Sequence, residues 1–89
     1  MIADTVAIRI PHEKLALVQL LYDAFRILRI GGTCYISGAN NEGIKSATKL
    51  LERAFGNSTL LAYDSGYRIV SALKESEAPS DDEVFESPF

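Results

Sequence analysis

Hydrophobic and polar positions follow one another along the chain in blocks that predict strands and helices in alternation. The run Asp4–Ile10 is rich in β-branched and apolar residues and predicts a first strand. From His12 to Arg29 the apolar residues recur every three or four positions, which predicts an amphipathic helix that Gly31-Gly32 closes. Its apolar positions are Leu17, Leu20, Leu21, Ala24, Phe25, Ile27 and Leu28.

The middle of the chain predicts a second strand and a second helix. Thr33–Ser37 has apolar or small residues on both faces, as in a covered parallel strand. Asn40 or Asn41 is predicted to cap the following helix, which Gly56 ends. The predicted buried positions of this helix are Ile44, Ala47, Leu51, Ala54 and Phe55.

Two further strands, "STLLAY" and "YRIVSAL", flank the turn Asp64-Ser65-Gly66 and predict an antiparallel hairpin. The predicted fold is therefore α/β, in the order β-α-β-α-β-β. The two β-α-β crossovers predict right-handed connections and a mostly parallel sheet, with the hairpin at its C-terminal side.

Composition changes this picture little. The 89 residues suffice for one small domain, and no apolar run approaches the ~20 residues of a membrane span. The N-terminus has no secretory signal pattern, and the single cysteine, Cys34, lies in an apolar strand, where it predicts a buried structural thiol. We expect a cytoplasmic protein with no membrane partner and no metal site.

Charge divides the chain into two parts. Six of the 12 acidic residues follow Lys74 and none of the 9 basic residues does, so residues 1–74 carry +3 and residues 75–89 carry −6. The second part also contains prolines and serines and predicts an acidic disordered tail. The first part is the predicted α/β domain, and its mild basicity is compatible with a nucleic-acid partner without requiring one.

The segment "GANNEGIKS" nearly matches a phosphate-binding P-loop, G-x-x-x-x-G-K-[ST]. Ile44 is inserted before Lys45, and one extra residue turns the lysine by ~100° around the helix. Glu42 also puts a carboxylate where phosphate would bind. A nucleotide triphosphate site is therefore the least favoured interpretation, and a strand-to-helix turn is preferred.

The order of strands and helices resembles the end of class I S-adenosylmethionine-dependent methyltransferases. The segment from "AFRILRIGGTCYIS" through "LLERAFGNSTLLAY" to "GYRIVSALK" follows the small-domain group that includes ribosomal RNA guanine-N2 methyltransferases. Leu28, Gly31-Gly32, Phe55-Gly56 and Gly66–Val70 occur in the order of that group, and Ile30 replaces its usual proline. The resemblance covers Asp4–Lys74 and implies half of a Rossmann-like fold.

The residues that resemble these methyltransferases do not include the half of the fold that binds the cofactor. In the family, a glycine-rich loop after the first strand and an acidic residue after the second hold S-adenosylmethionine, and this sequence has neither. We therefore expect no cofactor binding by this chain alone and predict no catalytic residue in it. The chain would be a truncated product, a separate chain or a fragment.

The resemblance implies a substrate site after the first strand. Arg9, Ile10, Pro11 and His12 stand where base-modifying relatives have Asn-Pro-Pro and an aromatic residue. Because arginine only donates hydrogen bonds, the family's way of binding an amino group does not transfer, and Arg9 is a candidate for binding phosphate or carboxylate. The predicted substrate-binding residues are Arg9, Pro11, His12, Glu13, Asn40 and Asn41. Each has a plainer explanation as a surface ion pair, an exposed helix turn or a helix cap.

Two functions follow from these observations. The first is the substrate-side half of an S-adenosylmethionine-dependent methyltransferase, with RNA as substrate and the other half as partner. The second is a non-catalytic remnant that serves as an assembly module. Its open strand Asp4–Ile10 would pair with the missing half or with a second copy in a homodimer.

Overall fold

The computed structural model describes residues 2–81, which form one sheet with helices packed on it. The strands are β1 (Ala3–Arg9), β2 (Leu28–Ala39), β3 (Thr59–Asp64) and β4 (Tyr67–Leu73), and the helices are α1 (Lys14–Ile27) and α2 (Ile44–Phe55). A single 3-10 turn, Asn40–Glu42, leads into α2. The predicted order β-α-β-α-β-β is confirmed. Neither helix in residues 2–81 has the length and apolar character needed to span a membrane.

The prediction of a mostly parallel sheet is wrong. The strand order is β1-β2-β4-β3, in which β1 pairs with β2 in parallel and the β2-β4 and β4-β3 pairs are antiparallel. The hairpin strand β4 is inserted beside β2 because it has apolar side chains to bury, Val70 and Ala72 at 3% and 1% exposure. Every residue of β3 is exposed, so β3 takes the edge.

The start of β2 also differs from the prediction. Helix α1 ends at Ile27 and β2 begins at Leu28, so Gly31-Gly32 lies inside the strand instead of closing the helix. The register between β1 and β2 shifts after the pair Ala3–Leu28, and residues 29–32 bulge from the ladder. In this bulge, Gly31 pairs with the residue that follows β4, because the Gly31 N–H donates to the Lys74 carbonyl at 2.7 Å.

Both helices pack on the same face of the sheet. Along β2, buried residues such as Cys34 and Ile36 alternate with half-buried ones such as Tyr35. The buried side meets the apolar stripes of both helices, and the rings of Phe25 and Phe55 touch edge to face at 5.1 Å. The predicted stripe of α2 is confirmed in full. In α1 the predicted Leu20 is exposed, and Val18, which was not predicted, is buried.

The opposite face of the sheet has no layer on it within residues 2–81. Ile69 and Leu73 on this face remain 36% and 42% exposed, and Ala7 of β1 is exposed as well. None of the residues that share this face is buried. They are Thr5, Ala7, Arg9, Thr33, Tyr35, Ser37, Tyr67, Ile69, Ser71 and Leu73.

A buried lysine connects the end of β4 to α1. Lys74 is 3% exposed, and its Nζ donates hydrogen bonds to the carbonyls of Phe25 and Leu28 at 2.6 and 2.8 Å. The last carbonyls of a helix have no partner within the helix, so Lys74 caps α1 with a side chain from a distant strand.

The first residues after β4 return to the end of α2. The backbone N–H groups of Ser80 and Asp81 donate to the carbonyls of Ala54 and Arg53, each at 2.9 Å, and the Arg53 guanidinium pairs with the Asp81 carboxylate at 2.8 Å. The disorder predicted for residues 75–89 stays a prediction, and residues 82–89 lie outside the described part of the chain.

Candidate functional site at the carboxyl edge of the sheet

Four strand ends meet at one edge of the sheet. Strand β1 ends at Arg9 and β2 ends at Ala39, and β4 begins beside them because Tyr67 pairs with Ala39. Strand β3 ends at Asp64, which pairs with Tyr67. The Asn40–Glu42 turn follows β2 at the same edge. Open α/β sheets bind their ligands beyond the carboxyl ends of parallel strands, so this edge is the candidate site.

Arg9 lies at the centre of one half of the edge. Its guanidinium donates to the hydroxyl of Tyr67 at 3.2 Å and lies 3.6 Å from the carboxylate of Glu42. Its side chain is still 67% exposed, which leaves donors facing solvent. The surface ion pair that the sequence analysis gave as the alternative explanation of Arg9 is therefore present, with Glu42. It holds the guanidinium at the mouth of the site.

Asn40 organises the other half. Its side-chain amide donates to the Tyr63 hydroxyl at 3.4 Å and its oxygen accepts from Arg68 Nε at 3.1 Å. The Arg68 guanidinium also stacks over the Tyr63 ring, 4.4 Å from its centroid. The prediction that Asn40 or Asn41 caps α2 is wrong, because Gly43 is the capping residue and makes no side-chain bond.

The other predicted site residues lie to one side of this cluster. Pro11 and His12 line a groove of about 520 Å³ between α1 and α2. Glu13 precedes α1 as an exposed residue whose carbonyl accepts from Leu17 N–H at 3.1 Å. Asn41 is exposed on the turn. The structure thus brings Arg9 and Asn40 to the edge, Pro11 and His12 to the groove, and neither Glu13 nor Asn41 to a polar cluster.

Sequence reasoning missed the tyrosines and Arg68. Tyr63 and Tyr67 are absent from the predicted site residues, yet Tyr63 is 53% exposed and both hydroxyls bond to site residues. The hairpin was the sequence feature that could have found these residues, because a strand that pairs antiparallel with β2 must start where β2 ends. The hairpin predicts site residues only once β4 is known to lie next to β2.

The near match to a P-loop is a structural turn. Ile44 is fully buried and Lys45 is exposed on the outer side of α2, as the inserted residue predicts. Glu42 turns back to accept from the Ala39 N–H at 3.0 Å. Gly38 is glycine because a Cβ there would lie 2.5 Å from the side chain of Ile10, and Gly43 adopts φ 90°, which favours glycine. Both glycines therefore serve the fold.

Cys34 is expected to resist alkylation in the folded protein. Burial raises the pKa of its thiol from 9.0 to about 12, which keeps the reactive thiolate scarce. Because the folded pKa lies above the unfolded one, the thiol's contribution to stability is complete below pH 9 and is lost as the pH rises toward 12. Iodoacetamide labelling followed by mass spectrometry below pH 9 checks the resistance of Cys34 to alkylation. Free glutathione is the control, and labelling of the folded chain at the rate seen in urea contradicts it.

Fold and edge together define an open, mixed α/β sheet of four strands, with β4 inserted between β2 and β3. The chain is similar in structure to the 16S rRNA N2 G1207 methyltransferase RsmC of T. thermophilus, solved with AdoMet and guanosine. The TM-score is 0.77 at 28% sequence identity. The match covers 88% of this chain and 22% of that chain, so this chain spans about a fifth of the length of RsmC. The resemblance inferred from the sequence is confirmed at this level.

No protein-family model matches the chain, and no curated protein sequence matches it at a significant level. The structural match is therefore what links this chain to methyltransferases. The match covers only a part of that enzyme, and it shows a shared fold and a fragment-like resemblance.

The described residues do not fit AdoMet by themselves. The segment after β1 is Ile10-Pro11-His12, which contains no glycine. Of the carboxylates at this edge, Glu42 is already engaged by Ala39 N–H and Arg9, and Asp64 accepts from the Ser65 hydroxyl at 3.2 Å. We therefore assign no step of a reaction to this chain through the cofactor. Within residues 2–81, no group of His, Cys, Asp and Glu side chains has the arrangement of a metal site.

Proposed function

We propose that this chain is the substrate-side portion of an S-adenosylmethionine-dependent RNA methyltransferase. The observation that carries the proposal is the half-covered sheet. Helices cover one face, whereas the other face and the free side of β1 have no partner within residues 2–81. A Rossmann-like methyltransferase sheet continues at this position and has helices on both faces, so a second segment would complete the layer.

The choice of RNA rests on the similarity to RsmC and on the chemistry of the edge. RsmC was solved with guanosine, and the structural match covers 88% of this chain. Arg9 and Arg68 present guanidinium donors next to the rings of Tyr67 and Tyr63. Guanidinium groups bind phosphate in a bidentate manner and aromatic rings stack on bases, so the edge suits a nucleotide.

The chain's part in the reaction would be alignment. Asn40 holds Tyr63 and Arg68 in one network, and Glu42 orients Arg9. A substrate held against such a fixed rim reaches the methyl group in a defined geometry, and alignment of this kind supplies a large share of a transfer rate. The segment that holds the cofactor would come from outside the residues described here.

Titration with S-adenosylhomocysteine tests the proposal. The chain alone is expected to give no saturable heat, with a Kd weaker than ~1 mM, because it lacks the cofactor loop and the ribose-binding carboxylate. The control is a full-length methyltransferase of the same family under the same conditions. Micromolar binding by this chain alone would overturn the claim that it is only one portion of the site.

A second candidate function is an assembly module without catalysis. It is favoured by the free side of β1, an open strand edge that can pair with another chain. Two copies joined at β1 would form a continuous sheet of eight strands, twice the four described. Sedimentation equilibrium separates the candidates: a stable homodimer supports the module, and a monomer that binds only a complementing methyltransferase segment supports the first proposal.

A further inference from the structure

Helix α2 presents a row of cations on its outer side. Lys45, Lys49 and Arg53 are spaced four residues apart and all three are exposed. Residues at i and i+4 lie on one face of a helix, and each step advances ~6 Å along the axis. The row therefore extends along the whole helix, on the side opposite its buried stripe. We call these three residues the α2 strip.

A groove flanks the α2 strip on each side. The groove toward α1, of about 520 Å³, is lined by Lys14, Lys49 and Arg53 as well as His12. The groove toward β3, of about 260 Å³, is lined by Lys45, Lys49 and Arg68. Lys49 belongs to both, so the strip lies between two depressions whose charged residues are mostly basic.

The acidic residues nearest the strip each have a partner within residues 2–81. Glu52, on α2 itself, accepts from the Ser58 hydroxyl at 2.7 Å. Glu42, the carboxylate of the α1-side groove, accepts from Ala39 N–H and pairs with Arg9. Asp81 pairs with Arg53 at the far end of the strip. Among the salt bridges of residues 2–81, Lys45 and Lys49 take part in none. The centre of the strip therefore offers two cations to an external anion.

We propose that the α2 strip binds the phosphate backbone of a single-stranded RNA. The strand would run along α2, with Lys45 and Lys49 against successive phosphates and the β3-side groove beside it. The inference rests on the proposed function and deepens it, because it names the surface that would bind the RNA backbone. It assigns the backbone to α2, next to the edge, and the two surfaces meet at Arg68, which lines the β3-side groove and donates to Asn40.

Tyr63 distinguishes RNA from an acidic peptide as the occupant. Its half-exposed ring carries the Arg68 guanidinium at 4.4 Å, and Arg68 itself lines the β3-side groove. An arginine and an aromatic ring next to a basic groove are the elements with which proteins stack bases while holding the backbone. An acidic peptide would use the cations and leave the ring without a role.

Fluorescence anisotropy with a labelled oligouridylate tests the α2 strip on the intact chain. The double variant Lys45→Gln/Lys49→Gln is expected to lose at least ~10-fold in affinity, and the salt slope to fall by ~1.4, since each phosphate contact on a single strand contributes ~0.7. The matched control is Arg26→Gln/Arg29→Gln, which removes two cations that line neither groove. The control is expected to stay within ~2-fold of the unmodified chain.

Three results would overturn the inference: no RNA binding by the unmodified chain, equal losses in both double variants, or competition by polyglutamate at the affinity of RNA. Thermal melting of each variant shows that it is folded before binding is compared. RNA binding needs neither cofactor nor a second segment, so its failure is read separately from the S-adenosylhomocysteine titration. Micromolar binding of that ligand would overturn the proposed function and leave the strip measurement intact.

Discussion

Deletion of Ile44 is expected to unfold the domain and to create no nucleotide site. The deletion would give the loop a complete P-loop pattern, because Lys45 would then follow Gly43 directly. It would also rotate every later residue of α2 by ~100°. The side chains carried off the core are fully or almost fully buried ones: Ala47, Leu51, Ala54 and Phe55.

The size of this effect follows from the small core. Removing a single buried Leu or Ile side chain costs ~2–5 kcal/mol, and a domain of this size has a total stability toward the lower end of ~5–15 kcal/mol. Loss of the α2 stripe together with Ile44 therefore exceeds what the fold can tolerate. The far-UV circular dichroism spectrum and the dispersion of amide NMR signals measure the outcome.

Two substitutions at the same position calibrate the deletion. Ile44→Val should lower the free energy of unfolding by only ~0.5–1.5 kcal/mol, and Ile44→Ala by ~2–5 kcal/mol. Lys45→Ala, at the exposed neighbour, should change it by less than ~0.5 kcal/mol. A folded deletion variant that binds ATP would show that Ile44 is dispensable and that the loop is a damaged phosphate site.

Lys74→Met is expected to lower the free energy of unfolding by ~2–4 kcal/mol, because it removes two hydrogen bonds and leaves the buried carbonyls of Phe25 and Leu28 without that donor. Methionine keeps the length and apolar stem of lysine, so the loss reports on Nζ and not on volume. Nζ also lies 4.6 Å from the Phe25 ring centroid, which adds to the loss. Urea unfolding followed by circular dichroism gives the difference.

The matched control for Lys74 is Lys45→Met. Lys45 is exposed and caps no helix, so its replacement should change the free energy of unfolding by less than ~0.5 kcal/mol. Equal effects in the two variants would show that the α1 cap carries no special stability. A loss of unfolding free energy confined to the Lys74 variant would show that this side chain stabilises the contact between the end of β4 and α1.

The contrast between α2 and Lys74 shows what a sequence pattern conveys. The stripe of α2 repeats at helical spacing within twelve residues, and local periodicity predicts such a face. Lys74 has no such signal, since its partners lie 46 and 49 residues earlier in the chain. A charged residue after an apolar strand resembles a surface position until the neighbouring elements are known.

The residues of the candidate site likewise fall into those that local sequence predicts and those that it does not. Arg9 and Asn40 were predicted because Arg9 lies near the end of one predicted strand and Asn40 follows another, and the sequence marks both strands clearly. Their partners Tyr67 and Arg68 come from β4, 58 and 28 residues away, and were missed. Asn40 was expected to cap a helix, which local sequence favours, but the hairpin offers its side chain Arg68 and Tyr63 instead.

The sequence by itself determined the order of strands and helices, the buried stripe of α2, the buried thiol of Cys34 and the resemblance to one part of a methyltransferase. These properties depend on the spacing of apolar residues over short distances. The tertiary structure alone decided that β4 lies between β2 and β3, that Lys74 caps α1 and that two tyrosines join the site edge. Each of these depends on which strand buries more apolar surface beside β2, and that competition is settled only when the whole sheet is assembled.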